Sequence, residues 1–434
     1  MLGLDFGTTN SAIGAATREG AARLATFREG DGETSVFRSA LHFSAEGHGP
    51  NRRPQATAGP RAIASYLDEG AGGRFLQSLK SYLASRLFND TLIYGWRFTL
   101  EDLIATLLRE LRDAARAQLG DDAKAVVIGR PVHFVIGEEA QTDPERDAAA
   151  LVRLRGAAEA AGFEEIAFEY EPVAAAFEYE RSLDHDELVL IGDFGGGTSD
   201  FCLVRLGPSE RTEAMDRSRS ILAVDGVPVA GGAFDGRIVR HVVAPRLGRG
   251  SLRRSEHGKE LPVPAWIYAR LERWEDVSFL KTRETLETLR QLEFEARERS
   301  KIASLIRLVE DDLGYLLYRA VERTKVDLSG APRARFAFHE LPRRIDLEVA
   351  RSDFEGWIED LVAKLEACVD ALLARAGAAP SAIDRVFLTG GTSLVPRVRE
   401  IFETRFGADR LRGGEELTTV ARGLALIAAH RAAA

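Results

Sequence analysis

The sequence predicts an α/β protein of two related lobes facing a cleft, and three observations predict it. The first is an internal repeat. Leu2-Gly3-Leu4-Asp5-Phe6-Gly7-Thr8-Thr9-Asn10-Ser11 stands at the N-terminus, and Leu190-Ile191-Gly192-Asp193-Phe194-Gly195-Gly196-Gly197-Thr198-Ser199-Asp200 much later. Each is an apolar run, an Asp-Phe-Gly, a small-residue turn with threonine, and a second apolar run, Ala12 to Ala16 or Phe201 to Leu206. That order reads as a strand, a tight glycine turn and a returning strand. The second observation is the alternation of β-rich and helical stretches in both halves. The third is the charged Asp184-His185-Asp186-Glu187 just before the second repeat, which marks a boundary. Lobe I is therefore expected over 1–185, with an insertion at about 39–98. Lobe II is expected over 186–434, with a helical subdomain at about 236–345.

The elements follow in order. The first strands run to about Val36, and 44–60, rich in Gly, Pro and Arg, reads as an exposed loop. Arg74 to Leu87 reads as a helix with Phe75, Leu79, Leu83 and Leu87 on one face. Glu101 to Leu119 is an amphipathic helix capped by Thr99 and stopped by Gly120. Ala125 to Ile128 reads as a strand, Glu145 to Ala161 as a helix, Ile166 to Tyr170 as a strand, and Pro172 as a helix start. Gly231-Gly232-Ala233-Phe234-Asp235 opens another helix, and 245–264 reads as loop. Trp266 to Leu328 is charged and mostly helical, and Asp353 to Ala376 is a further helix. Val386 to Thr389 is a strand, followed by a glycine turn, a helix from Val395, and a last helix from Thr418-Thr419.

Composition narrows the class. The chain has 434 residues, 45% hydrophobic and 29% charged, which suits a soluble protein with ample core. A net charge of −9 gives no footprint for nucleic acid or a membrane surface. No apolar run approaches the ~20 residues of a membrane span. The first strand starts at once, so no signal peptide is expected and the cytoplasm is the expected compartment. Cys202 and Cys368 make no disulfide framework, and His241 and His257 have no metal-ligand spacing. Of 58 basic residues only seven are lysine: Lys80, Lys124, Lys259, Lys281, Lys301, Lys325 and Lys364. Where arginine serves almost everywhere, a lysine is more often needed for its compact ammonium.

The repeated turns carry a chemical implication. Glycine permits close backbone approach, so amide N–H groups can converge on an anion. An aspartate beside such a cradle repels a bare phosphate. It makes sense if it holds a hydrated Mg²⁺ that the phosphate also needs.

At this point the chain resembles a known family, the ATPase domain of DnaK-type heat-shock chaperones, within the actin and sugar-kinase superfamily. Gly3 to Ser11 looks like its first phosphate loop and Asp193 to Asp200 like its second. Glu171-Pro172-Val173-Ala174-Ala175-Ala176 matches its Glu-Pro-x-Ala-Ala-Ala segment. Thr389-Gly390-Gly391-Thr392-Ser393-Leu394-Val395-Pro396 matches its adenosine loop. Glu322-Arg323-Thr324-Lys325-Val326-Asp327-Leu328-Ser329 resembles the helix over the adenine. The five stand in family order over most of the chain. The resemblance implies a two-lobed actin-like ATPase fold, with duplicated ribonuclease-H-like lobes around a nucleotide cleft. Three departures stand out. The adenine-stacking arginine is Val326, the glutamate expected after Gly231-Gly232 is Ala233, and the stretch from Asp235 to Glu322 is long. The chain stops near the end of the ATPase domain, so the YegD-like branch is expected, without a peptide-binding domain or tight, ATP-regulated binding of apolar peptides.

The resemblance also implies roles. Gly7, Thr8, Thr9, Asn10, Gly195, Gly196 and Gly197 cradle the phosphates of ATP or ADP, and Thr198 reaches the γ-phosphate. Asp5 and Asp193 hold Mg²⁺ through water. Gly231, Gly232, Glu322, Lys325, Ser329, Gly390, Gly391 and Thr392 face the nucleoside. Lys80 falls where the catalytic lysine belongs; the plainer reading is a solvated lysine on a surface helix. Glu171 touches the metal's waters or is a helix-end carboxylate beside a dipole. Asp200 is a general base, a water-holder or a strand-edge charge. Glu322 and Lys325, one turn apart, serve the ribose and adenine or form an intrahelical ion pair. The leading function is a slowly hydrolysing ATPase acting as a chaperone-related nucleotide switch, with a protein partner or client. A non-chaperone ATP-dependent interaction module and a small-molecule kinase are the competing readings.

Overall fold

A computed structural model of the chain describes residues 1–17, 21–46, 53–68, 73–86, 88–120, 124–134, 143–181, 183–210, 220–254, 258–413 and 418–432. Leu87, His257, the middle of the 44–60 stretch and the last two residues lie outside them. The chain divides into two compact units. The first holds Met1–Leu67, Leu76–Ala230 and Ala363–Ala434; the second holds Asp68–Phe75 and Gly231–Val362.

The first unit contains two sheets of like order. In one, Glu165–Tyr170, Ala125–Arg130, Leu2–Phe6, Asn10–Ala15 and Arg23–Leu24 lie side by side, and Phe37–Arg38 also pairs with Asn10–Ala15. In the other the order is Leu411–Gly413, Arg385–Thr389, Glu187–Phe194, Ser199–Leu206 and Ile221–Val227. Each is an antiparallel hairpin whose first strand continues into two parallel neighbours. Within the hairpins Asp5 lies opposite Ala12, and Asp193 opposite Asp200. Both aspartates are the last residue but one of the first strand, where the chain leaves the apolar core for the turn.

Helices Glu171–Glu180 and Thr419–Arg431 join the two sheets through one apolar core that includes Val173, Ala174, Val189, Ile191, Val204, Leu424 and Ile427. Small residues let the two helices cross closely. A Cβ on Gly423 would stand 1.8 Å from the carbonyl oxygen of Ala174. Gly423→Ala is therefore expected to lower the melting temperature by several degrees, since overpacking a core typically costs about 1–3 kcal/mol and outweighs alanine's better helix propensity. An unchanged melting curve would contradict this crossing.

In the second unit, helix Gly231–Ile238 runs into a π-helical turn, Val239–Val243. Helices Ala265–Leu271, Trp274–Val277, Arg283–Glu295, Arg299–Glu310 and Gly314–Gly330 follow. The antiparallel pair Arg333–Phe338 and Ile345–Ala350 precedes the long helix Arg351–Ala376, which runs on beyond this unit. Phe234, Ile238, Ile302, Leu305 and Leu317 are wholly buried in this unit. The helical periodicity expected from Trp266 to Leu328 is thus present.

Most predicted elements stand within a few residues of their expected bounds. Helix Leu100–Leu119 has the capping box of Thr99 with Asp102, and ends at Gly120 in a left-handed conformation. Three expectations are corrected. The helix expected over Arg74 to Leu87 is absent from its described residues, 74–86: strand Arg74–Gln77 turns at Ser78, φ 57°, into a short 3₁₀ helix, Leu79–Tyr82. The helical spacing of Phe75, Leu79 and Leu83 arises because strand and 3₁₀ turn are both buried, and short apolar runs do not separate the two periods. The 44–60 stretch includes the paired ends of Ala40–Glu46 and Arg53–Ala58, an exposed ribbon whose composition reads as loop. The 245–264 stretch holds the small ribbon Leu252–Arg254 with Glu260–Pro262 for the same reason. Among the described residues no helix is long and apolar enough to cross a membrane.

Candidate functional site

The first unit brings five charged side chains together at the ends of its two central hairpins. Asp5 and Asp193 come from the first strands, Asp200 from the returning strand of the second hairpin, and Glu171 from the first turn of helix Glu171–Glu180. Lys80, from the 3₁₀ helix, supplies the cation. Its Nζ donates to Glu171 Oε1 at 2.6 Å, and both residues are only 8% exposed. The reading of Lys80 as a solvated surface lysine is thereby overturned. Glu171 sits at its helix start as the proline pattern predicts, but its partner is this ammonium across 91 residues of chain.

Asp200 is gripped at both oxygens. Val132 N–H donates to Oδ1 and Thr198 Oγ1 donates to Oδ2, each at 2.7 Å. Buried and held in this way, it is not a free strand-edge charge. The two glycine turns also meet: a Cβ on Gly196 would lie 2.5 Å from Thr9 Oγ1, so any side chain there would push Thr9 aside. Gly7 N–H donates to Ser11 Oγ, Ser39 Oγ donates to the Gly7 carbonyl, and Gly195 N–H donates to the Thr198 carbonyl. Thr8 lies beside Gly197, whose Cβ would be 3.3 Å from Thr8 Oγ1. Asn10 turns its amide oxygen to Arg38 Nη1, 3.0 Å away.

The electrostatics of this cluster are unbalanced. Burial pushes the Asp5 carboxyl up to about 7, helped by the charge of Glu171 and opposed by Lys80. Burial and Glu171 likewise push Asp200 up to about 7, against its two hydrogen bonds and Lys80. Asp193 is raised well above the usual range by burial and by the charges of Glu171, Asp5 and Asp200. Burial alone would lower the Lys80 ammonium, but Glu171, Asp5 and Asp200 together raise it. Four carboxylates around one ammonium leave negative charge that a hard cation with oxygen ligands would neutralise. Among the described residues no three carboxylate, imidazole or thiol groups stand together as a direct metal cage.

A pH dependence follows. A carboxyl raised in the folded state keeps a proton that the unfolded chain releases at about pH 4. Its stabilising contribution is complete below that pH and is lost as pH rises through about 7. The nucleotide-free protein should therefore melt at progressively lower temperature between about pH 4 and 7. Asp200→Asn, which cannot ionise, should flatten that slope in scanning fluorimetry. Identical slopes would contradict the raised carboxyl.

The other predicted residues divide between the units. Gly390, Gly391 and Thr392 follow strand Arg385–Thr389 in the first unit, where Ser393 Oγ donates to the Gly390 carbonyl at 2.6 Å. Gly231, Gly232, Glu322, Lys325 and Ser329 lie in the second. There Lys325 Nζ pairs with Asp235 at 2.8 Å and donates to the Gly231 carbonyl at 3.3 Å, so the lysine reaches across to helix Gly231–Ile238. Ser329 Oγ donates to the Lys325 carbonyl within its own helix. Val326 is 65% exposed.

Several contributors were missed. Ser11, Ser39 and Arg38 brace the first turn, and Val132 acts through its backbone. Backbone donors leave no residue signature, and serines are too common to single out.

The family model described as Hsp70 protein matches residues 1–246 and 297–433. The unmatched 247–296 falls inside the long stretch between Asp235 and Glu322.

Proposed function

The chain belongs to the Hsp70 protein family, and on that premise we propose that it is a Mg²⁺-dependent, slowly hydrolysing ATPase acting as a chaperone-related nucleotide switch. Membership carries the two-lobed actin-like ATPase fold and an Hsp70-like nucleotide-binding domain. The observation that best supports the finer reading is the cluster of Asp5, Glu171, Asp193 and Asp200 around Lys80, between two apposed glycine turns.

Each residue has a role that its surroundings suit. The turns at Gly7 to Asn10 and Gly195 to Gly197 offer backbone and hydroxyl donors to the phosphates. Asp5 and Asp193, raised by burial and repulsion, would hold Mg²⁺ through its water ligands. When bound, that ion neutralises phosphate oxygens during phosphoryl transfer. Lys80 has three N–H donors, and Glu171 takes one; the others can orient the attacking water and offset charge developing on the transferring group. Asp200, fixed by Val132 and Thr198, is aimed to align that water or to accept its proton. Glu171 links Lys80 to the helix packed against both sheets, so it can relay the state of the phosphate site into the core. In the first unit Gly390, Gly391 and Thr392 would face the nucleoside. A cytoplasmic protein partner or client would read the nucleotide state.

Calorimetric titration of ATP with and without Mg²⁺ tests this reading. Binding that needs Mg²⁺ is expected. Equal affinity in chelator would sink the assignment of Asp5 and Asp193.

A further inference from the structure

Lys80 stands on a short, tightly turned segment. It sits in a four-residue 3₁₀ helix, Leu79–Tyr82, a form with poor hydrogen-bond geometry that is seldom self-supporting. The segment is entered through Ser78 at φ 57°, a left-handed conformation unfavourable to a residue with a Cβ. Ser81 N–H donates to the Ser78 carbonyl, Leu83 N–H to Lys80, Ser85 N–H to Tyr82 and Phe88 N–H to Ser85 Oγ. Carbonyls at the end of such a turn can also accept from donors outside it.

We propose that Arg153, on helix Pro144–Ala160, is a positioning residue that clamps this segment and so sets the place of Lys80. Its guanidinium gathers the backbone on which the lysine stands. Nη1 donates to the Ser85 carbonyl at 3.0 Å and, more weakly, to Tyr82 at 3.3 Å and Leu83 at 3.5 Å. Nη2 donates to the Phe88 carbonyl at 3.1 Å. Nε donates to Glu101 Oε1 at 2.6 Å, in the first turn of helix Leu100–Leu119, which fixes the plane of the fork. The side chain is only 16% exposed, so its charge is held by these acceptors and not by bulk water. A planar guanidinium can serve several divergent carbonyls and a carboxylate at once; a lysine ammonium at the same site cannot. Two helices thus hold the backbone just C-terminal to Lys80, whose ammonium reaches Glu171.

The kinetic part of the test rests on the hydrolytic reading of Lys80; the exchange part does not. Arg153→Lys keeps the charge and loses the fork. It should slow single-turnover ATP hydrolysis by about tenfold or more while nucleotide affinity stays unchanged, since small misplacements of catalytic groups cost up to roughly 10² in rate. In nucleotide-free protein, hydrogen exchange should quicken across 79–86 and stay unchanged in helices Leu100–Leu119 and Pro144–Ala160. Glu101→Gln should move both readouts the same way by less. Placed on Lys80→Ala, Arg153→Lys should add no further loss, because both changes act through one ammonium. The clamp is overturned if Arg153→Lys hydrolyses normally while Lys80→Ala is slow, if the two losses multiply, or if exchange rises in both helices as well. Should Lys80→Ala itself hydrolyse normally, the catalytic reading of Lys80 falls. Exchange then decides the clamp: loss of protection confined to 79–86 upholds it, and unchanged protection overturns it.

Discussion

Lys80→Ala is expected to bind ATP and hydrolyse it 10²–10³-fold more slowly, the order of loss when one preorganised electrostatic contact to a transition state is removed. The ammonium is assigned to charge that develops during transfer, so the loss belongs in kcat and not in binding. The structure adds a second consequence. Removing Lys80 leaves Glu171 buried beside Asp5, Asp193 and Asp200 with its cation gone. Breaking a buried pair from one side typically costs about 3–5 kcal/mol. The nucleotide-free variant should therefore melt earlier, and more so at high pH. Single-turnover hydrolysis and scanning fluorimetry on the same preparation separate the two effects. Wild-type hydrolysis in the variant would remove Lys80 from the catalytic site.

Asp193→Asn should weaken Mg²⁺-dependent ATP binding by about 10–100-fold, the usual cost of losing a group that orients a metal's ligands. The asparagine keeps one acceptor oxygen and nearly the same shape, so the loss reports charge. It also removes a carboxyl held far above its ordinary range, which relieves repulsion among Asp5, Glu171 and Asp200. The variant should thus bind ATP less well and be at least as stable when nucleotide-free. Calorimetry and melting curves check the pair of signs. Undiminished Mg²⁺-dependent affinity would contradict the assignment of Asp193.

The contrast between what was legible in the chain and what was not has a physical basis. The two hairpins were legible because a strand, a glycine turn and a returning strand are local, and the same local pattern occurs twice. Thr99 and Gly120 were legible for the same reason, since caps are set by nearest neighbours. Lys80 was picked out by its place in the family pattern, with the scarcity of lysine as a lesser sign, although its secondary structure was misread. The spacing of Phe75, Leu79 and Leu83 fits either a helix or a buried strand and turn. Of the two readings of Lys325, the intrahelical pair with Glu322 gives way to an ion pair with Asp235, 90 residues earlier, because tertiary packing decides such partners. The grip on Asp200 by the Val132 backbone and the fork of Arg153 left no trace in the sequence. One is a main-chain donor that any residue provides, and the other is one arginine in a chain rich in arginine.

Phosphate release from radiolabelled ATP, with wild-type protein in excess over nucleotide and Mg²⁺ present or chelated, tests the central claim most directly. Conversion of all the added ATP to ADP and phosphate is expected, slow and dependent on Mg²⁺. ATP recovered intact after bound nucleotide has had hours to react, or hydrolysis that proceeds equally in chelator, would contradict the account of this carboxylate and lysine cluster as an ATPase site.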